Sequence, residues 1–307
     1  MDIKNKGPLS GLARFEAKKP LRQNVFSELI QRKTLACESV ISKDLRNKAS
    51  WNIGFASRRG NVRKRNEDYG IAFNHQNHQV IIMGDGLGGP SHGDLASFMA
   101  VESASQVVLQ QLREGMSVLE LQEICSNALC TASHQLAWMG DKLNVIQTGL
   151  RTTLIMLIAN NKYAALTYIG DGAVYHFKSP TDCQSVLNAH KAVPGNLSIL
   201  SASLGPTAHG KPHSRKLTRT ESDVIMVMSD GIADRIKTDV SSEHPPELIS
   251  NLVRLAVFKD GDLQTTAKEA VEILKEEQDE KGYLCDDNIS LGFIGNYKNP
   301  CFPEREN

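Results

Sequence analysis

The chain has 307 residues, long enough for one large domain or two small ones around a buried core. Its 35 basic and 35 acidic residues balance, which argues against a general nucleic-acid or membrane-surface binder. No apolar run approaches the ~20 residues of a bilayer span, and no apolar stretch of signal-peptide length follows Met1-Asp2-Ile3-Lys4. The six cysteines (Cys37, Cys125, Cys130, Cys183, Cys285 and Cys301) form no C-x-x-C pair. They read as reduced, mostly buried thiols of a cytoplasmic protein.

Residues 1–50 are rich in Lys, Arg, Asn and Ser and read as a loosely ordered or partly helical extension, with a short amphipathic helix over Asn24 to Val40. From Trp51 the pattern tightens. Ile53 to Ala56, Tyr69 to Phe73 and Val80 to Met83 are predicted strands, the last two joined by the polar segment Asn74 to His78. The glycine-rich stretch Gly84 to Gly93 leads into a helix carrying Leu95, Phe98, Met99, Val108 and Leu112 at helical spacing. A second helix starts at Ser117, with Glu120 completing a capping box.

A meander of strands follows at Thr152 to Ala159, Tyr163 to Ile169 and Ala173 to Phe177, with turns at Asn160-Asn161 and Gly170-Asp171-Gly172. Residues 180–216 read as irregular and too long for a simple connection, hence a functional flap. Val224 to Met228 is a strongly apolar strand. Helices are expected near Glu247 to Phe258 and Leu263 to Lys281, and a final strand at Ile289 to Ile294. Strands and helices come in blocks rather than alternating, which predicts an α+β fold of antiparallel sheets with helices packed outside.

Five acidic stretches mark these strand ends: Asn66-Glu67-Asp68, Gly84-Asp85-Gly86, Gly170-Asp171-Gly172, Ser229-Asp230-Gly231 and Asp286-Asp287-Asn288. One Asp before Gly is most often a turn residue. Several carboxylates carried by rigid strand ends are another matter, because crowded carboxylates repel and imply a bound cation. Oxygen-only ligation points to Mg²⁺ or Mn²⁺ rather than zinc. Two such ions ~3.5–4 Å apart make hydroxide available near neutral pH, and phosphate esters are the natural substrate. Arg63, four residues before Glu67, is the candidate to hold the phosphate, though with Lys64 and Arg65 beside it a solvated basic turn is the plainer reading. His92 lies near Asp85 in the glycine-rich loop and reads as a cap or solvent-exposed group; surface or loop positions are expected for nearly all nine histidines.

Together these stretches resemble the protein phosphatase 2C family in its bacterial form. Gly60-Asn61-Val62-Arg63-Lys64-Arg65-Asn66-Glu67-Asp68 is similar to the opening motif, and Gly84-Asp85-Gly86-Leu87-Gly88-Gly89 to the Asp-Gly-x-Gly-Gly signature. Gly149-Leu150-Arg151-Thr152-Thr153, Ile169-Gly170-Asp171, Met228-Ser229-Asp230-Gly231-Ile232 and Asp287-Asn288-Ile289-Ser290 follow in the family's order. The resemblance implies a β-sandwich of two antiparallel sheets flanked by α-helices, four layers α-β-β-α, with a catalytic domain over 51–297 and a tail at 298–307. It implies a serine/threonine phosphoprotein phosphatase in which a metal-bridging hydroxide attacks the phosphoryl group directly, without a phospho-enzyme.

The same resemblance assigns roles. Asp85 would bridge two Mn²⁺ or Mg²⁺ ions and the Gly86 carbonyl would bind one of them. Asp230 and Asp287 would bind the other. Glu67 would act through a metal-bound water, Asp68 would support from behind, and Arg63 would grip the phosphate. Asp171 would help Asp230 hold a weaker third ion. The partner implied is a phosphoprotein regulated by a kinase. Three positions depart from the pattern: Leu87 stands where some members carry a histidine, Gly149 is displaced by one residue, and Gly172-Ala173 replace a Ser-Arg pair. The alternatives are a catalytically silent binding protein and a phosphatase of small-molecule or lipid phosphates.

Overall fold

A computed structural model describes residues 52–87, 92–145, 150–179, 182–191, 200–206, 210–220, 222–234, 251–252, 263–276 and 286–295. The expected extension (1–50), the tail (298–307), Gly88, Gly89, Gly149 and most of the helix expected near Glu247 to Phe258 lie outside the described residues.

Eleven strands are described: β1 (Ile53–Arg58), β2 (Asp68–His75), β3 (His78–Leu87), β4 (Arg151–Thr152), β5 (Leu154–Ala159), β6 (Tyr163–Ile169), β7 (Ala173–Phe177), β8 (Cys183–Ser185), β9 (His213–Thr218), β10 (Val224–Met228) and β11 (Ile289–Ile294). Four helices join them: α1 (Gly93–Gln111), α2 (Val118–Leu143), the single turn α3 (Asp230–Ala233) and α4 (Leu263–Glu276). One sheet runs β1-β11-β10-β7-β8 and the other β2-β3-β5-β6-β9, with β4 added to the end of β3. Every pairing is antiparallel.

The central strands β5, β10 and β11 are buried throughout because both of their faces are covered. On β10, Ile225 and Val227 enter the core between the sheets, with Ile81, Met83, Ile155, Leu157, Leu166 and Tyr168. Val224, Met226 and Met228 of the same strand face the other way, into a core with Leu263, Ala267, Val271 and Leu274 of α4. On the far side α1 contacts β2 and β3, and α2 contacts β5 and β6. The layers are therefore helix, sheet, sheet, helix, the sandwich expected from the resemblance, and the two-residue period of each strand divides its side chains between two cores.

Local chemistry sets the element ends. Ser117 accepts a hydrogen bond from the Glu120 N–H while the Glu120 carboxylate accepts from the Ser117 N–H at 2.7 Å, the capping box read from the sequence. The β2–β3 hairpin turns on Gln76 and Asn77 alone, at φ 50° and 57°, so both strands are longer than the polar segment suggested; two positive φ values in succession make the tight turn that matches strand twist.

Among the described residues from 182 to 218 lie β8 and β9, which sequence reading did not mark. β9 is an edge strand whose exposed Ser214, Arg215 and Lys216 give it no apolar signal and suit a sheet edge. The histidines also differ from expectation. His78, His176 and His190 are buried, His176 by pairing its Nε2 with Asp223 at 2.7 Å and His78 by bonding its Nδ1 to the Gln76 carbonyl at 2.6 Å.

Candidate metal centre

Strand register brings the acidic stretches to one end of the sandwich. Asp68, the first residue of β2, pairs directly with Asp85 near the end of β3. Leu154 opens β5 opposite Ile169, which closes β6. In the other sheet Ala173 opens β7 opposite Met228, which closes β10, and Met228 also faces Leu291 of β11. The turn Gly170-Asp171-Gly172 crosses from one sheet to the other at this same end. Gly170 sits at φ 116°, and a Cβ there would meet Thr153 at 2.4 Å, so only glycine makes this crossing without strain.

Asp85 lies inside β3 rather than after it, since the strand continues to Leu87. Its backbone is held on both sides. The Asp85 N–H donates to Thr153 Oγ1 at 2.9 Å, and its carbonyl accepts from the Thr153 N–H at 2.8 Å and from Thr152 Oγ1 at 2.9 Å. Thr153 is the break between β4 and β5. The Thr-Thr pair thus acts as a clamp that fixes the Asp85 main chain and leaves its carboxylate to point into the site. Gly86 packs against Gly93 so closely that a Cβ would lie 2.1 Å from the Gly93 carbonyl oxygen, and its N–H donates to the Glu67 carbonyl at 3.0 Å. Ser97 Oγ of α1 donates to that same carbonyl at 2.5 Å. The opening motif, the β3 end and the start of α1 are tied together here.

Asp68 is buried. Its Oδ2 accepts from Ser290 Oγ at 2.7 Å, and Ser57 Oγ lies 2.8 Å from that hydroxyl and accepts from Asn66 Nδ2 at 2.7 Å. Asp68 Oδ1 is buried with no hydrogen-bond partner among the described residues. Asn288, oriented so that both its amide atoms are satisfied, accepts from the Glu67 N–H at 2.9 Å and donates to the Arg65 carbonyl at 3.1 Å. Asp287 caps its own neighbour, its Oδ1 accepting from the Asn288 N–H at 2.8 Å, while its Oδ2 accepts from Arg63 at 2.7 Å. Arg63 is half exposed in this pair.

Burial, with neighbouring negative charge, governs the titration of the cluster. Burial first, then the charges of Asp68 and Asp230, push the Asp85 carboxyl well above the usual carboxylate range. Asp230 is pushed up to about 7 by burial and by Asp171, Asp287 and Asp68, against the hydrogen bond it shares with Asp85. Asp68 is raised to about 6, burial again outweighing its serine hydrogen bonds. Glu67 is raised by burial and restrained by Arg63. These groups feel one another, so they are neighbours in space although they span more than half the sequence.

Among the described residues no three His, Cys, Asp or Glu side chains stand as a closed ligand cluster. Asp85 with Asp230, and Arg63 with Asp287, meet in pairs. The donor set nevertheless suits a hard cation: it is all oxygen, it is crowded enough to hold protons against its own repulsion, and Asp68 Oδ1 is a buried acceptor with nothing to accept. Asp171 is a different case. Its Oδ2 accepts from Lys191 Nζ at 2.6 Å, and the same ammonium reaches Asp234 at 3.2 Å. Burial works against the charge on Lys191, but Asp171 and Asp234 outweigh it and raise its pKa. Sequence reading missed both residues. Asp234 had a signal, since it lies one helical turn after Asp230 and caps α3; Lys191 had none, in a stretch without periodicity. His92 stands at the N-cap position of α1 but makes no side-chain capping bond.

The sandwich gathers its acidic strand ends at one edge. The family model described as protein phosphatase 2C matches residues 58–262, and the chain belongs to that family. It is similar to the serine/threonine phosphatase stp of Listeria welshimeri, 29% identical over 136 residues that make up 41% of this chain and 50% of that protein. The corresponding Listeria innocua protein is 24% identical over 202 residues, 59% of this chain and 78% of that one. The chain therefore spans about half the length of the first of these relatives. Among solved structures, the Mycobacterium tuberculosis serine/threonine phosphatase PstP/Ppp superposes with a TM-score of 0.60 at 16% identity, covering 80% of this chain and 98% of that one. The PstP catalytic domain in complex with two manganese ions gives 0.59 at 17% identity, covering 79% and 96%. At these identities the likeness is one of fold.

Proposed function

We propose that this chain is a metal-dependent phosphatase of phosphoserine and phosphothreonine in proteins. The observation that supports the reading is the register that brings the strand ends carrying Asp68, Asp85, Asp230 and Asp287 to one end of the sandwich, with Asp68, Asp85 and Asp230 raised by burial and mutual charge. Asp85, Asp230, Asp287 and the Gly86 carbonyl would hold two Mn²⁺ or Mg²⁺ ions, with Glu67 and Asp68 behind them. When bound, these ions would polarise the phosphoryl oxygens and make hydroxide available for direct attack on phosphorus, so that no phospho-enzyme is needed.

The chain's own residues do the rest. The Thr152–Thr153 clamp fixes Asp85. Ser290, within 2.8 Å of Ser57 Oγ, holds Asp68 through Oδ2 and leaves Oδ1 without a hydrogen bond among the described residues. Arg63 pairs with Asp287 through one nitrogen, and a guanidinium has further donors to offer a phosphate arriving at the mouth. The Listeria relatives, described as serine/threonine phosphatases, support a phosphoprotein as the substrate; substrates phosphorylated by a kinase follow from that. The free thiols of Cys125, Cys130 and Cys183 support a cytoplasmic setting, and among the described residues no helix is long and apolar enough to cross a membrane.

The test is phosphate release from phosphothreonine peptides and from sugar phosphates, each with EDTA and with Mn²⁺. Peptide turnover that needs Mn²⁺ and falls by more than about 100-fold in Asp85→Ala and Asp230→Ala is expected, because even losing a residue behind a metal ligand costs ~10–100-fold. Faster turnover of sugar phosphates would move the substrate class, and no turnover of either substrate with Mn²⁺ would sink the reading.

A further inference from the structure

We propose that the Lys191 ammonium is the resident cation of the Asp171–Asp234 carboxylate pair, so that this chain carries a fixed lysine on Asp171, one of the two carboxylates to which its resemblance to the family would assign a third divalent ion. Lys191 Nζ contacts Asp171 Oδ2 at 2.6 Å and Asp234 Oδ1 and Oδ2 at 3.3 and 3.2 Å. The ammonium thus lies against both carboxylates at hydrogen-bonding distance. All three partners are largely shielded, with side-chain exposures of 16% for Lys191, 3% for Asp171 and 27% for Asp234. A pair so placed is not one of the loose surface contacts that contribute little.

The backbone around Lys191 is anchored to the same turn that carries Asp171. The His190 N–H donates to the Gly170 carbonyl at 3.0 Å, and the Gly170 N–H donates to His190 Nδ1 at 3.0 Å. The Ser201 N–H donates to the His190 carbonyl at 2.7 Å, and Lys191 itself bridges to Leu200. The ammonium is thus held by the fold, not by a freely swinging side chain. A divalent ion sharing Asp171 and Asp230 would have to displace it or lie beside a like charge in a partly desolvated site. Asp171 keeps one buried oxygen, Oδ1, without a partner among the described residues, and an ion bound there would have the ammonium on the same carboxylate. The positive charge at this corner is therefore covalently part of the chain, and it also pins the 182–191 segment to the strand ends.

The inference rests on the metal-centre reading for its setting and is tested apart from it. Full-length protein is dialysed against Mn²⁺ and the bound metal is counted by elemental analysis, with thermal melts in EDTA to check that each variant folds. Lys191→Met keeps the stem and removes the charge; it is expected to bind one more Mn²⁺ per chain than the parent, and the extra ion is expected to vanish in Lys191→Met/Asp171→Asn. Asp171→Asn alone is expected to leave the parent's count unchanged. A lower count in Asp171→Asn alone, or an unchanged count in Lys191→Met, overturns the proposal. Should Lys191→Met fail to fold, the Asp171→Asn count alone decides it. Failure of the metal-centre reading has a separate signature, an Asp85→Asn variant that binds as much Mn²⁺ as the parent.

Discussion

Carboxyls that hold protons because they are crowded must release them before a cation can enter. Asp230, raised to about 7, and Asp68, raised to about 6, have folded-state values above those of an unfolded chain. A raised value means the protonated form stabilises the metal-free protein. That contribution is complete below the unfolded value near ~4 and is lost as pH rises through about 7. The site should therefore destabilise the EDTA-treated protein progressively between about pH 4 and 7, while Mn²⁺ stabilises it most above that window. Melting curves with EDTA and with Mn²⁺ across this range check it. The expected result is a metal-induced rise in Tm that grows with pH and shrinks in Asp230→Asn; a rise that is flat or falls with pH would count against the proposed ligands. Asp85, Asp230 and Asp287 stand out in the sequence because each lies beside glycine or asparagine at the edge of an apolar run. Lys191 does not, because a lysine in an aperiodic stretch carries no sign of the carboxylates it will meet.

The elements followed closely from their patterns where both faces are buried. Tyr163–Ile169, Ala173–Phe177, Val224–Met228 and Ile289–Ile294 have the bounds their apolar runs suggest, since a strand between two covered faces ends where its hydrophobic run ends. Reading failed where the determinant was a partner in another part of the chain. β9 was invisible because pairing with β6, not hydrophobicity, makes it a strand. The expected single strand from Thr152 to Ala159 is divided at Thr153 because that residue's backbone and hydroxyl are committed to Asp85. β3 outruns its apolar core to Leu87 because Gly86 can lie against Gly93, and α1 is docked at that point. Gly86→Ala would drive a methyl into the Gly93 backbone, a contact that no side-chain rotation relieves. A loss of roughly 3 kcal/mol or more is expected, measured by denaturant melts in EDTA, with an effect below ~1 kcal/mol contradicting the close packing.

At the scale of the molecule, the sandwich is a device for aligning strand ends. Two sheets with antiparallel registers, joined by the three-residue turn around Asp171, bring residues from positions 68, 85, 171, 230 and 287 to one edge. The hydrophobic faces could be read from the sequence, and the family resemblance supplied the closure of the two sheets on one another; spacing alone did not say which strand would lie beside which. The order β1-β11-β10-β7-β8 pairs the first described strand with the last, a contact of high sequence separation that local pattern does not encode. The proposed function requires Asp85, Asp230 and Asp287 to share divalent ions at this edge. Crystals soaked in Mn²⁺ and measured at the manganese absorption edge test it directly. Two anomalous peaks enclosed by those carboxylates, with Lys191 still against Asp171 and Asp234, are expected. Peaks located elsewhere, or none, would contradict it.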